Sequence, residues 1–221
     1  MTGRIFTSTH QTYDLPPLLS WSVVHTGTVP CDSYTVMAPI LPLAAGFIGF
    51  EDGQLVARGI VDDFSVDLDG GGTTVTITGR GAAARLLDNE SRPVTYQDAT
   101  LEEIVRRHVT PYGVVAREVA DVQARSVYTV AAGTSQWKVL ESFCRTYGGF
   151  APRFAINGAL LAAPERDNGR RLCIGDADPV LHCSWREDHY GVITEALVID
   201  KRQNISYSVR NPEMIRKGGQ C

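Results

Sequence analysis

The chain has 221 residues and a mass of 24.1 kDa; 43% of its residues are apolar, 21% are charged, and its net charge is -4. That length suits one large domain or two modest ones with buried cores, and the composition excludes a disordered chain. The longest apolar stretch, Ala38 to Phe50, is broken by Pro39, Pro42, Gly46 and Gly49. It falls short of the roughly 20 residues of a membrane span, and the polar segment 1–10 lacks the apolar run of a secretory signal.

Cys31, Cys144, Cys173, Cys183 and Cys221 are odd in number and dispersed, the pattern of reduced thiols in a chain made in a cytoplasm. Residues 1–100 carry 5 basic and 11 acidic side chains, whereas residues 101–221 carry 16 and 14. The first half therefore lacks the basic stripe that holds nucleic acid, and specific nucleic-acid binding is not expected.

In chain order, residues 1–80 read as a small antiparallel β domain. Glu51-Asp52-Gly53 is a turn leading into a strand through Leu55 and Ala57. Phe64, Val66 and Leu68 then alternate with Asp63, Ser65 and Asp67, and the alternation resumes from Thr74 to Thr78 after the break at residues 69–72. Period two on both sides of a Gly-rich break predicts a hairpin with one face buried. Pro16-Pro17 and Pro39 to Pro42 punctuate loops or edges.

After Gly81 the pattern changes. Residues 82–87 can form a short helix, and residues 89–93 break the chain. Thr100 followed by Glu103 is a capping box, with Leu101, Ile104, Val105, His108 and Val109 on one helical face and Pro111 and Gly113 as the stop. A strand over residues 126–131 precedes a second helix, capped by Thr134 or Ser135, with Trp137, Leu140, Cys144 and Tyr147 as its stripe and Gly148-Gly149 as its end. Phe150, Phe154 and Ile156 lead into the Asn157-Gly158 hairpin and back through Leu160 and Leu161. Strands are predicted again over 180–185 and 192–200, and the basic segment 201–221 carries no closing element.

Several motifs suggest chemistry and are outweighed by their context. Gly79-Arg80-Gly81-Ala82-Ala83-Ala84, with Asp98 downstream, fits a dinucleotide fingerprint, but the preceding strand is half-exposed and the following helix short. Asp67-Leu68-Asp69-Gly70 resembles the start of a calcium loop, yet loop position twelve is Thr78 rather than a bidentate Glu. Asp62 and Asp63, as strand neighbours, should point to opposite faces and not flank one glycosidic bond. Cys173, His182, Cys183 and His189 have zinc-ligand chemistry without a recognised spacing. Cys144 sits on an apolar stripe where an inert thiol is expected, and Gly133-Thr134-Ser135-Gln136-Trp137 lacks the last glycine of a nucleophile elbow. No catalytic, cofactor or metal residue is assigned, and an enzyme is not expected.

The order of four segments is more specific than any one of them. Residues 51–62 (EDGQLVARGIVD), residues 73–88 (TTVTITGRGAAARLLD), Ala99-Thr100-Leu101-Glu102-Glu103-Ile104-Val105 running to Tyr112-Gly113-Val114, and Gly133 to Leu140 with Phe143 to Phe150 together resemble the phage tail baseplate hub family across residues 30–165. The resemblance implies a mainly β fold with an α+β insertion: a tube-like antiparallel β-barrel domain (1–90), a small two-helix and sheet domain (91–165), and strands that continue the barrel or begin a second, shortened one (166–221). It further implies a structural, non-enzymatic protein of the virion tail. Such a protein is made in the bacterial host cytoplasm, assembles as a homotrimer, contacts tail tube and central spike proteins, and has no membrane association. Members of the family are usually longer, so the chain is expected to be truncated or reduced. A tail-associated cell-wall hydrolase and a carbohydrate-binding module are the alternatives, the latter through Trp21 or Trp185.

Overall fold

The structure is a computed structural model that describes residues 1–26, 31–39, 42–171, 182, 184, 186, 193–200 and 204–218. Its contacts divide the chain into two compact units, Met1–Asn168 and Gly169–Cys221. The fold is mainly β, in several sheets.

Seven strands, β1 (Thr2–Phe6), β2 (Thr12–Asp14), β3 (Ser20–Val24), β4 (Ser33–Ala38), β5 (Gly46–Glu51), β6 (Gln54–Asp69) and β7 (Gly72–Gly81), form one antiparallel sheet in the order β2-β1-β5-β6-β7-β4-β3. The turn at Asp52-Gly53 has φ of 48° and 77°, the double left-handed pair of a tight hairpin whose twist matches its strands. Ile5, Val36, Phe47, Val75 and Ile77 are fully or almost fully buried in one cluster that draws on strands across the sheet. Tyr34 of β4 lies with its ring 4.8 Å from that of Phe47 of β5, although β6 and β7 separate the two strands. Three strand spacings would put them about 14 Å apart in a flat sheet, so the sheet curls strongly around this core. Among the described residues the ladders leave it open, with β2 and β3 at its ends.

The remainder of the first unit is α+β. α1 (Ala84–Leu87) follows β7 directly, yet its Leu86 is buried in the second core. β8 (Val94–Tyr96) pairs with β10 (Tyr128–Val130), and β11 (Arg153–Phe154), β12 (Leu160–Ala162) and β9 (Ala116–Val119) form a second small sheet. In the latter, β9 and β12 run parallel, a long-range pairing that local pattern does not announce. α2 (Leu101–His108) and α3 (Gln136–Phe143) cover these sheets. Leu101, Ile104, Val105, His108 and Val109 are all buried. Thr100 accepts the Glu103 amide at 3.2 Å as a cap should, but the Glu103 carboxylate turns to Arg107 at 2.9 Å rather than back to the cap.

Ser135, not Thr134, caps α3, accepting the Lys138 amide at 3.2 Å. Beyond Phe143 the helix widens into a π turn, Cys144–Gly148, before Gly149 stops it at φ 71°. The Asn157-Gly158 turn closes a hairpin, but only Gly158 is left-handed. The Ala155 amide reaches the Ala159 carbonyl at 2.9 Å, so the loop is wider than a two-residue turn.

Under α2 lies a buried polar chain. The Gln136 amide nitrogen donates to the Glu90 carbonyl at 2.9 Å and to Tyr112 at 2.7 Å, which turns its oxygen toward His108 Nδ1 at 2.7 Å. Nδ1 therefore carries the proton, and Nε2 accepts from the Tyr96 hydroxyl at 2.7 Å. Burial holds the imidazole below its ordinary pKa, the Gln136 hydrogen bond opposes this, and Arg107, which also sits over the Tyr96 ring at 5.4 Å, adds to the lowering. A buried neutral base is protonated more readily in the unfolded chain. Its contribution to stability is thus complete above the unfolded pKa of about 6.5 and is lost as pH falls below it. Urea unfolding is expected to show lower stability at pH 5 than at pH 7.5, the share owed to this residue being set by how far its folded pKa lies below the unfolded one. The His108→Asn protein should have a flatter profile in that window; an unchanged slope would exclude the assignment.

In the second unit, β13 (Glu195–Asp200) pairs with β14 (Ile205–Arg210), and α4 (Pro212–Arg216) follows. The sequence pattern leaves 201–221 without an element, yet Asn211 accepts the Met214 amide at 3.2 Å and Pro212 starts the helix. The predicted strand over 180–185 lies largely outside the described residues, as does Val192 at the start of the next.

Candidate assembly surface

The β6–β7 hairpin begins in the core and ends outside it. Register places Phe64 opposite Ile77, Val66 opposite Val75 and Leu68 opposite Thr73, all on the face that carries the core. Phe64 is partly covered, but Val66 is 57% exposed and Leu68 80%. The expectation of a buried face holds at the base and fails toward the tip, where no described residue of the first unit covers it. On the opposite face Asp63, Ser65 and Asp67 stand against Thr78, Thr76 and Thr74. The arm is thus acidic and hydroxylated on one side and apolar on the other.

The same apolar face continues across the sheet through Val75, Ala38 and Val36 to the edge strand β3, where Trp21 lies opposite Val36. Trp21 is 38% exposed, and Leu19 and Val24 flank it in the open. β3 and β2 each have one ladder partner among the described residues. An open edge with exposed apolar side chains is a template for pairing with another chain.

The second unit offers the same kind of surface. In its hairpin Val198 opposes Tyr207 and Ala196 opposes Val209 on one side, while Leu197 and Ile199 oppose Ser208 and Ser206 on the other. Every residue of both strands is exposed, Leu197 at 65%. Two strands alone are marginally stable in water, so this hairpin needs something to lie against.

The motifs with chemical promise have structural duties. At Gly79 and Gly59 the chain passes close against a neighbouring backbone. A Cβ on Gly79 would overlap the Ile60 carbonyl and the Tyr34 hydroxyl, and one on Gly59 would overlap the Arg80 carbonyl. Gly79 of the apparent fingerprint, with Gly59 on β6, thus admits the Tyr34 ring, whose hydroxyl donates to the Ile60 carbonyl at 2.7 Å. Arg80, between Gly79 and Gly81, clamps β6 to the C-terminal cap of α1: Nε and Nη2 reach Asp62 at 2.7 and 3.0 Å, and Nη1 and Nη2 reach Asp88 at 3.0 and 2.7 Å. The hydrogen bonds from Arg80 hold the Asp88 carboxyl below the usual range.

The ladder shifts between Val61 and Asp63, and this bulge corrects the expectation for the neighbouring aspartates. Asp62 reaches Arg80, on the face where Asp63 meets Thr78, so the two do not diverge, but the Asp62 carboxylate is occupied by the guanidinium. Asp69 accepts the Gly71 amide at 2.7 Å and closes the hairpin tip, with Thr78 inside β7. Cys144 is fully buried, and burial pushes its thiol up to about 12. The Ser135 hydroxyl is held in its cap. Asp98 occupies a left-handed turn at φ 50°, and Cys173, Cys183 and His189 lie outside the described residues.

No family model and no curated protein matches the chain. Among solved structures, a tail protein from Neisseria meningitidis MC58 aligns over 96% of this chain and 68% of its own, with a TM-score of 0.74 at 16% identity. The 43 kDa tail protein of prophage MuSo2 from Shewanella oneidensis aligns over 96% and 69%, with a TM-score of 0.65 at 17% identity. In its fold, this chain is similar to phage tail proteins.

Proposed function

We propose that the chain is a structural component of a phage or phage-derived tail baseplate hub, adapting the tail tube to the central spike and lining the channel. The observation that carries this reading is the likeness in fold to two tail proteins along nearly the whole chain. The surface supports it: a curled sheet with two open edges and an uncovered apolar arm suits a subunit that completes itself in an assembly. On this reading residues 1–90 supply a tube-like barrel element, residues 91–165 its insertion, and residues 166–221 further strands of the barrel region. Three copies form a closed ring in the tail baseplate. The acidic excess of residues 1–100 suits a channel along which DNA must slide without adhering. The protein is a non-enzymatic member of that particle, contacting tube and spike proteins and no membrane.

Light scattering of the full chain over a range of concentrations is expected to resolve a trimer. A chain that stays monomeric at every concentration and cleaves peptidoglycan would overturn the hub reading in favour of a tail-associated hydrolase.

A further inference from the structure

Two adjoining clefts of about 320 and 360 Å³ open on the first unit and share Arg58, Gly59 and Arg85. Arg58 projects from β6 and Arg85 from α1; both are exposed. Arg85 donates one hydrogen bond, to the Tyr112 carbonyl at 3.3 Å. Among the described residues neither guanidinium meets a carboxylate, in contrast to Arg4, Arg80, Arg107 and Arg145, each of which does. Among the described residues no aspartate or glutamate lines either cleft, and His10 adds a third basic side chain to the second. In a half-chain with 11 acids and 5 bases, this is a local reversal of sign. The walls also carry apolar surface: Ile48 in one cleft and the exposed Val115 in the other.

The complementary feature stands on the same molecule. At the end of β6, Asp67 and Asp69 lie on one face of the strand, about 7 Å apart as alternate residues are. Leu68 points the other way, 80% exposed. Asp67 has no partner among the described residues, and Asp69 gives one oxygen to the Gly71 amide. Two carboxylates beside an uncovered leucine match two guanidiniums beside the exposed Val115. The strand that carries the tip also carries Arg58 near its other end, nine residues away and about 30 Å along an extended strand. One copy therefore cannot satisfy its own cleft with its own tip.

We propose that the Arg58–Arg85 cleft receives the acidic β6–β7 tip of a second copy of this chain. The contact is heterologous, tip to cleft, so each copy both gives and receives it, and a suitable rotation closes a ring. Bidentate guanidinium–carboxylate pairs fix the register, and Leu68 leaves water. This inference rests on the assembly reading above but names the contact that the reading leaves open.

A charge-swap complementation tests it. Arg58→Glu/Arg85→Glu and Asp67→Arg/Asp69→Arg proteins, each with unchanged circular dichroism, are expected to self-associate at least tenfold more weakly than the natural chain in sedimentation equilibrium. An equimolar mixture should recover association, because each supplies a reversed half. Self-association of both variants at natural strength, or a mixture no stronger than its parts, would overturn the tip-to-cleft contact while a persisting trimer would leave the hub reading intact. If the natural chain itself stays monomeric, the tip-to-cleft contact falls, and the hub reading falls with it only if that monomer cleaves peptidoglycan. If the cleft variant alone loses affinity, and for a single-stranded oligonucleotide used as probe, the cleft serves phosphates and the proposal falls.

Discussion

Replacing Phe143 with alanine is expected to lower the stability of the first unit by about 3–5 kcal/mol, a large part of the roughly 5–15 kcal/mol that holds a typical domain. Phe143 ends α3 and is fully buried. Its ring meets Tyr128 edge-on at 5.2 Å and Tyr147 at 5.0 Å. Tyr128 donates to the Val139 carbonyl at 2.7 Å, so it is anchored from α3 and cannot swing in to fill the space. The π turn begins at the next residue, which leaves little freedom for the backbone to collapse. A cavity therefore persists and adds to the lost transfer free energy. Urea denaturation followed by tyrosine and tryptophan fluorescence gives the loss directly. Phe143→Leu should cost less because it leaves a smaller void, and a loss under about 1 kcal/mol for the alanine variant would contradict the packing described.

What the sequence makes legible here follows from which forces are local. The Thr100 cap, the buried stripe of α2 and the left-handed pair at Asp52-Gly53 each depend on residues within a few positions, and each can be read from spacing and turn chemistry. The bulge at Asp62 cannot, because it exists only relative to the pairing of β6 with β7, and it reverses the face on which a strand neighbour was expected. The parallel pairing of β9 with β12 joins segments more than 40 residues apart, beyond any local pattern. β14 and α4 were within reach: Ile205, Tyr207 and Val209 alternate, and Asn211-Pro212 is a helix start.

The candidate surface was legible in half. Alternation identifies Phe64, Val66 and Leu68 as one apolar face, but not whether the same chain covers it. The basic cleft was not legible at all, since Arg58 and Arg85 are brought together by the turn from β7 into α1. His108 and Gln136, polar residues at buried positions of two helices, were the only local hint of the chain of hydrogen bonds that joins them.

Gly79→Ala is expected to cost about 3–5 kcal/mol, although it adds a single methyl group. Gly79 lies in the middle of β7, between β4 and β6, with its backbone committed to the sheet on both sides. A Cβ there would run into the Ile60 carbonyl and the Tyr34 hydroxyl, which are bonded to each other at 2.7 Å. Neither can yield without loss: the carbonyl belongs to the neighbouring strand, and the Tyr34 ring is held against Phe47. Burial also raises the Tyr34 pKa, so the phenol stays a neutral donor at any ordinary pH. Tyr34→Phe alone removes the hydrogen bond and leaves the ring, at a cost of about 1–3 kcal/mol for a carbonyl left without its partner. Because both substitutions strike the same contact, the double variant should lose less than the sum of the two. Gly70→Ala is the control: its Cβ would meet nothing within 4 Å, and its φ is not left-handed, so the midpoint of urea unfolding should hardly move. If Gly79→Ala unfolded at the same urea concentration as Gly70→Ala, the close approach of β6, β7 and Tyr34 would not be what Gly79 is for. The first glycine of the apparent fingerprint would then need another explanation.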